Sequence, residues 1–277
     1  MRLFGVVFGF VLLSFLGVVV FAQDSVQVAN NNPNAKVIHL FNGKDLDGWY
    51  TFLQSCGKGN DPNKVFTVEN GVIHVSGSEM GCITTNGEYE NFILEVEYKV
   101  GEKSYPPRKD KAFDSGVLIH SIGKDGEYGN VWMRSIEIQV IEGGTGDFYV
   151  VSPKKDEKYK LTSTVDPKNQ FKNGGGLFQK NGIETTVYTP SSPIQRIGTD
   201  LKRENIPRFR NKNEIEKQHG EWNSIKIIAK EDKIDVYLNG QFVNQAKDVR
   251  PQKGRIQIQS EGAEFFYRRV DLTPIIE

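Results

Sequence analysis

Eight residues near the middle of the chain, Ser135-Ile136-Glu137-Ile138-Gln139-Val140-Ile141-Glu142, carry the side chains best suited to chemistry. Apolar Ile136, Ile138 and Val140 alternate with polar Ser135, Glu137 and Gln139. That period of two predicts a strand with one apolar face and one polar face. The polar face offers carboxylates and an amide and no lysine or arginine, which suits holding and working on sugar hydroxyls. A plain solvated strand face has the same period, so the pattern by itself leaves both readings open.

The elements around this strand must be placed before any role is assigned. Arg2 precedes an unbroken apolar run from Leu3 to Phe21, and Val20-Phe21-Ala22 offers small residues for a signal peptidase, with Gln23 as the mature start. Residues 1–22 are therefore expected to be a signal peptide and the protein to be secreted or periplasmic. Left uncleaved, a run of this length would anchor the chain in a membrane; cleaved, it leaves no stable membrane insertion. Lys plus Arg number 35 and Asp plus Glu 35, so no net field draws in nucleic acid. An uncharged partner such as an oligosaccharide or glycoside fits that balance. Cys56 and Cys82 both fall in the exported part, where a bridge would close a loop of about 25 residues and contribute roughly 3 kcal/mol. Two free thiols are the alternative. Two cysteines and four histidines exclude a thiolate zinc cluster.

Residues 23–36 are polar and Asn-rich and read as a flexible lead-in. From residue 37 onward the chain alternates short β-rich runs with Gly and Asn turns. Asn70-Gly71 lies between 65–68 and 72–75, and Asn239-Gly240 follows 234–238; Asn-Gly between β-rich runs signals a hairpin. In 92–100, Leu94, Val96, Tyr98 and Val100 are expected to point inward. Further strands are expected at 116–122, 135–141, 148–151, 222–230, 255–260 and 265–272. A short stretch near Asn211–Gln218 is the one candidate for a helix. The inventory predicts an all-β protein, a jelly-roll β-sandwich filling 37–277 as a single domain. Residues 153–220, rich in Lys, Asn, Gly and Pro, read as a long irregular insertion holding small strands such as 184–188 and lying over one end of the sandwich.

Several separated segments then align with one family. They are Leu40-Phe41-Asn42-Gly43-Lys44-Asp45-Leu46-Asp47-Gly48-Trp49, Phe66-Thr67-Val68-Glu69-Asn70-Gly71, Asp114-Ser115-Gly116-Val117-Leu118-Ile119-His120, Ile136-Glu137-Ile138-Gln139, and Glu142-Gly143-Gly144-Thr145-Gly146-Asp147. Gly220-Glu221-Trp222-Asn223, Tyr237-Leu238-Asn239-Gly240 and the run from Gly254 to Gly262 complete the set. In this ordered set the chain resembles the 3-keto-disaccharide hydrolase domain family over nearly all of its mature length. The resemblance implies a concanavalin A-like jelly roll of two antiparallel sheets with a concave face for sugars. It also implies cleavage of glycosides oxidised at C3, by elimination followed by hydration. A ketone at C3 acidifies the C2 proton, so a base at C2, a cationic or hydrogen-bonding group at the enolate oxygen and an acid at the leaving oxygen are required.

Within that frame Glu137 is the expected base, with Gln139 on the same face for hydroxyls or a metal. Strict alternation would turn Glu142 away; a bulge at Val140-Ile141 would return it to the site. His120 shares a face with Leu118 and Ile122 and is either an acid, base or metal ligand or a core histidine. Glu261 ends a strand whose polar positions include Gln257 and Gln259, and that face is expected beside the Glu137 face. Asp114 and Arg134 flank the two strands and either bind substrate or pair with each other, and Trp132 is placed to stack on a sugar ring. No cofactor is assigned with certainty; a divalent cation polarising the ketone would find His120 and Glu137 as ligands. Two rivals share the fold. Glu137-x-Gln139-x-x-Glu142 is similar to the Glu-x-Asp-x-x-Glu strand of retaining β-glucanases, with Gln139 where the aspartate stands, and a non-catalytic carbohydrate-binding module is the other.

Overall fold

A computed structural model describes residues 36–276. The expected signal peptide, residues 1–22, lies outside the described residues, as does nearly all of the lead-in 23–36. The described residues form two strand layers packed face to face. One layer runs Gln241–Arg250, Lys233–Leu238, Trp222–Lys230, Phe92–Ser104, Ala263–Pro274, Val72–Val75, Phe66–Glu69. The other runs Trp49–Leu53, Gly81–Thr85, Arg255–Ser260, Asp114–Ile122, Arg134–Ile141, Phe148–Val151. Pairing within both is antiparallel throughout, and the fold is a jelly-roll sandwich.

Alternation produces the core. Phe92, Leu94, Val96 and Tyr98 from the first layer and Val117, Ile119, Ile136 and Ile138 from the second are all 1% exposed or less. Each such side chain stabilises by roughly 1.5–3 kcal/mol. Two polar contacts are made inside the core: Ser115 Oγ lies 2.7 Å from Tyr267 Oη, and Tyr98 Oη donates to Thr145 Oγ1 at 3.1 Å. The two Asn-Gly turns form as expected, with Asn70 and Gly71 at φ of 51° and 76° and Asn239 and Gly240 at 49° and 81°, the left-handed region such hairpin turns need.

The insertion is more ordered than its composition suggests. It forms strands Lys160–Gln170, Gly176–Phe178, Ile183–Val187 and Ile194–Gln195. Lys160–Gln170 pairs with Gln241–Arg250, so backbone hydrogen bonding runs from one layer into the other. The helix expected near Asn211–Gln218 does not form, and no helix occurs among the described residues. Glu214 is the reason: its carboxylate accepts from the backbone N–H groups of Asn211, Ile215 and Glu216 at 3.1, 2.8 and 3.0 Å, so these donors are taken by a side chain rather than a helical ladder. The cysteines are free thiols, Cys56 half-buried and Cys82 buried. Burial pushes the Cys82 thiol up to about 12, which makes it unreactive.

Candidate active site

The outer face of the second layer carries a cavity of about 380 Å³. Its floor is built by the period-two pattern of four adjacent strands. Gln259 comes from Arg255–Ser260, Asp114 and Gly116 from Asp114–Ile122, Glu137 and Gln139 from Arg134–Ile141, and Tyr149 from Phe148–Val151. Gly116 stands opposite Gln139 and Leu118 opposite Glu137 in an unbroken register, so the floor side chains share one face. Glu261, just past its strand, Arg108 from the loop before Asp114, and Tyr128 with Trp132 close the sides. Arg203, Glu204 and Asn205 reach in from the insertion.

Gly116 is what allows the floor to fill. A methyl group there would overlap both Glu137 Oε1 and Gln259 Oε1, which approach each other across the bare backbone. Gly116→Ala is expected to lower activity at least tenfold and to destabilise by about 1–3 kcal/mol through overpacking. Steady-state kinetics beside a thermal melt checks this, and an unimpaired variant would show that the two side chains have room to spare.

The electrostatics are unusual for a surface cavity. Glu137 is 6% exposed and Asp114 1%. Burial, then the Glu261 charge, hold the Glu137 carboxyl well above the ordinary range, while the Arg108 guanidinium and the Gln259 amide pull the other way. Asp114 is raised by burial and then by Glu261, and Arg108 opposes both; Glu261 is raised by burial, again against Arg108. Arg108 pairs with Asp114 and with Glu261, the latter at 2.7 Å. Three carboxyl groups around one guanidinium in a poorly solvated hollow cannot all ionise at ordinary values, so a proton is retained further up the pH scale. A site that keeps one carboxyl protonated beside another that is ionised can supply both an acid and a base. Glu137 Oε1, Asp114 Oδ1 and Gln259 Oε1 are buried with no hydrogen-bond partner. Such acceptors are costly to leave unmet, and a bound hydroxyl-rich ligand would meet them.

Over residues 36–273 the sequence matches the 3-keto-alpha-glucoside-1,2-lyase-like domain. The chain belongs to that family. Membership makes it a carbohydrate-active protein. No curated protein matches it. Among solved structures it is similar to two Parabacteroides distasonis proteins described as candidate glycosyl hydrolases. The first is 19% identical, with a TM-score of 0.50, covering 87% of this chain and 94% of that one. The second is 18% identical, with a TM-score of 0.47, covering 86% and 99%. A Bacillus subtilis carbohydrate-binding module, CBM66, is 11% identical with a TM-score of 0.44, covering 81% and 94%. At 19% identity the likeness to the first is one of fold alone.

Of the residues singled out in the sequence of this family member, Glu137, Gln139, Asp114, Gln259, Glu261 and Trp132 line the one cavity. Trp132 is 8% exposed, donates its indole N–H to the Gly81 carbonyl at 3.3 Å and stacks against Tyr128 at 6.3 Å, so half-buried Tyr128 shares the aromatic wall. Three residues are elsewhere. His120 sits in a bulge with φ of 52°, where the register shifts between Ile119 and Ile122, and its ring meets core Phe92 edge-on at 5.7 Å. The bulge turns it off the Leu118 face, and burial pushes its pKa down to about 4. His120 and Glu137 therefore do not form the metal-binding pair expected of them. Among the described residues no group of three or more His, Cys, Asp or Glu is arranged to hold an ion. Glu142 is the second correction. Pairing stays regular through Val140 and Ile141, so no bulge returns it, and alternation sends it to the far side. There Oε2 accepts from the backbone N–H groups of Phe113 and Arg208 at 3.1 and 2.8 Å, and Oε1 lies 2.7 Å from His219 Nδ1. Arg134 is the third. It lies 3.4 Å above the Tyr159 ring and pairs with Asp156 at 2.7 Å, not with Asp114.

Sequence reasoning missed Arg108, Tyr128, Tyr149, Arg203 and Asn205. Tyr149 had a signal, since alternation in 148–151 beside the Glu137 strand puts it on the same face. The others come from loops, where no period applies.

Proposed function

We propose that this protein, acting after export, cleaves 3-keto-glycosides by removing the C2 proton, eliminating the C1 substituent and adding water. The observation that carries the reading is Glu137: a buried carboxyl with raised proton affinity and an unpartnered Oε1 facing a sugar-sized polar cavity. A carboxylate made more basic by desolvation is suited to a weakly acidic C–H, and a proton transfer of this kind is worth about 10²–10⁴ in rate.

The steps follow from the lining. Glu137 takes the C2 proton, and the electron pair moves onto the C3 carbonyl oxygen. The enolate collapses, C1–C2 becomes double, and the C1–O bond breaks with its pair on the departing oxygen. Glu261 or Asp114, whose hold on a proton burial strengthens, gives that oxygen its proton. Water then adds across C1–C2 with the proton returning to C2, so the sum is hydrolysis. Gln139, Gln259 and Asn205 hold ring hydroxyls, and Tyr128 with Trp132 packs against the ring. The retaining-glucanase reading needs two carboxylates about 5–5.5 Å apart across the bond. Its second member, Glu142, is already saturated by two backbone donors and His219 on the other side of the strand. A binding module has no use for raised carboxyls.

Purified mature protein is expected to release the aglycone from a 3-keto-disaccharide and to leave the unoxidised parent intact. A keto-glycoside that survives while its parent is cut would replace this reading with direct glycoside hydrolysis; saturable binding without cleavage of either would replace it with a binding module.

A further inference from the structure

The reaction needs a cation or donor where the enolate charge develops, and two arginines line the cavity. Arg108 is already committed, its guanidinium shared between Asp114 and Glu261. Arg203 is differently placed. It arrives from the insertion, and its one ion pair is behind it: Nη1 donates to Asp147 Oδ2 at 3.2 Å. Asp147 is fully buried and is itself held by the Arg196 backbone N–H at 2.8 Å. The Gly143-Gly144 pair, which belongs to a family segment with no role assigned so far, makes the approach possible. A methyl group on Gly144 would collide with Arg203 Nη1, so the guanidinium lies directly on bare backbone there. Arg203 and Tyr149 line the same cavity, and against the cost of burial the Asp147 charge and then Tyr149 stabilise the cation. Tyr149 is the direct cross-strand neighbour of Glu137, and facing side chains in such a pair start about 4.5–5.5 Å apart. A guanidinium anchored from behind by one buried carboxylate is thus brought within one residue of the buried base.

Resting on the proposed reaction, we infer that Arg203 is a catalytic residue, the donor that receives the C3 enolate oxygen, and that Asp147 and Gly144 position it. When Glu137 takes the C2 proton, the electron pair released passes to the C3 oxygen, and an Arg203 N–H hydrogen-bonds that oxygen until the pair returns and the C1–O bond breaks. A fixed guanidinium needs no reorganisation as charge appears, and its strength grows in a water-poor cavity. Arginine suits this better than lysine because its planar fork can hold Asp147 with one edge and the substrate with another. The sequence signal is indirect: an insertion supplies the cation, and a glycine pair just past the Glu137 strand makes its berth.

The test is kinetic and uses the full mature chain with two 3-keto-glucosides, one carrying an alkyl and one an aryl aglycone. Arg203→Met is expected to lower kcat about 10²–10³-fold with KM changed less than about fivefold, as for loss of one oxyanion donor. Arg203→Lys should recover part of the loss, and guanidinium ion in the buffer should partly restore Arg203→Ala. The loss should be similar for both aglycones, because the enolate forms before the C1–O bond breaks, and C2 proton exchange in D₂O should slow by the same factor. A loss much larger for the alkyl aglycone, with exchange at C2 unimpaired, would make Arg203 a leaving-group residue and overturn the inference. So would a folded Arg203→Met that turns over at the wild-type rate, or an Arg203→Lys no more active than Arg203→Met. If wild type leaves keto-glycosides untouched, the proposed reaction itself fails, which is a separate outcome. Should Arg203→Met not fold, Arg203→Lys and the guanidinium rescue still decide the matter.

Discussion

Glu137→Gln is expected to abolish most turnover of a 3-keto-disaccharide, by about 10²–10⁴-fold, and to leave the protein folded. Gln is nearly the same shape, and Glu137 Oε1 has no partner to lose. The change in stability has a definite sign. The folded-state carboxyl is raised, so it binds its proton more tightly in the folded than in the unfolded chain. Its contribution is therefore fully present below the unfolded value, about 4.3, and is lost as pH rises through the folded value. At neutral pH Glu137→Gln should be at least as stable as wild type, and its advantage should shrink as pH falls towards 4. Activity runs the opposite way with pH: the base must be ionised, so kcat/KM of the wild type should climb with pH well above the ordinary glutamate range. Denaturant melts at several pH values beside a pH–rate profile test both halves. An active Glu137→Gln variant would discard the base assignment, and one destabilised at neutral pH would show that the carboxylate serves structure. The pattern is that of a site which sacrifices stability for reactivity.

The second large effect is structural. Arg196 is fully buried and pairs with Glu214, 3% exposed, at 2.6 Å. Arg196→Ala strands the Glu214 carboxylate without its partner, and breaking such a pair costs about 3–5 kcal/mol. Urea unfolding should show this as a lower midpoint at similar slope. The double change Arg196→Met with Glu214→Leu should recover most of it, since the pair itself contributes little beyond mutual neutralisation. A single-variant loss below about 1 kcal/mol would mean that water enters to solvate Glu214. The pair also bears on the cavity. Glu214 takes up the backbone donors of Asn211, Ile215 and Glu216, and the Arg196 N–H fixes Asp147, which holds Arg203. Loosening it should reduce activity alongside stability.

What can be read along the chain is whatever has a period or a local turn code. Alternation in 92–100 and 135–141 and the Asn-Gly turns determined the strands, their faces and the hairpins, because side-chain direction in a strand depends only on parity. The same parity put Glu137, Gln139, Gln259 and Asp114 on faces that the sheet then set side by side, and the ordered family segments determined the jelly roll and the carbohydrate-active class. Tertiary structure decided the exceptions. His120 departs from parity because a bulge re-aims it into the core, and a bulge is a property of two paired strands, invisible in one. Glu142 keeps parity, and the bulge that would have returned it to the site does not form, since the facing strand stays in register to Asp114. The helix at 211–218 was lost to one carboxylate whose partner, Arg196, lies in another segment. Arg108 and Arg203 reach the cavity from loops, and a loop side chain's direction is set by long-range ion pairs with Asp114, Glu261 and Asp147 rather than by its neighbours in sequence. The acids of this site are thus written in local pattern, and its cations in contacts that exist once the chain has closed on itself.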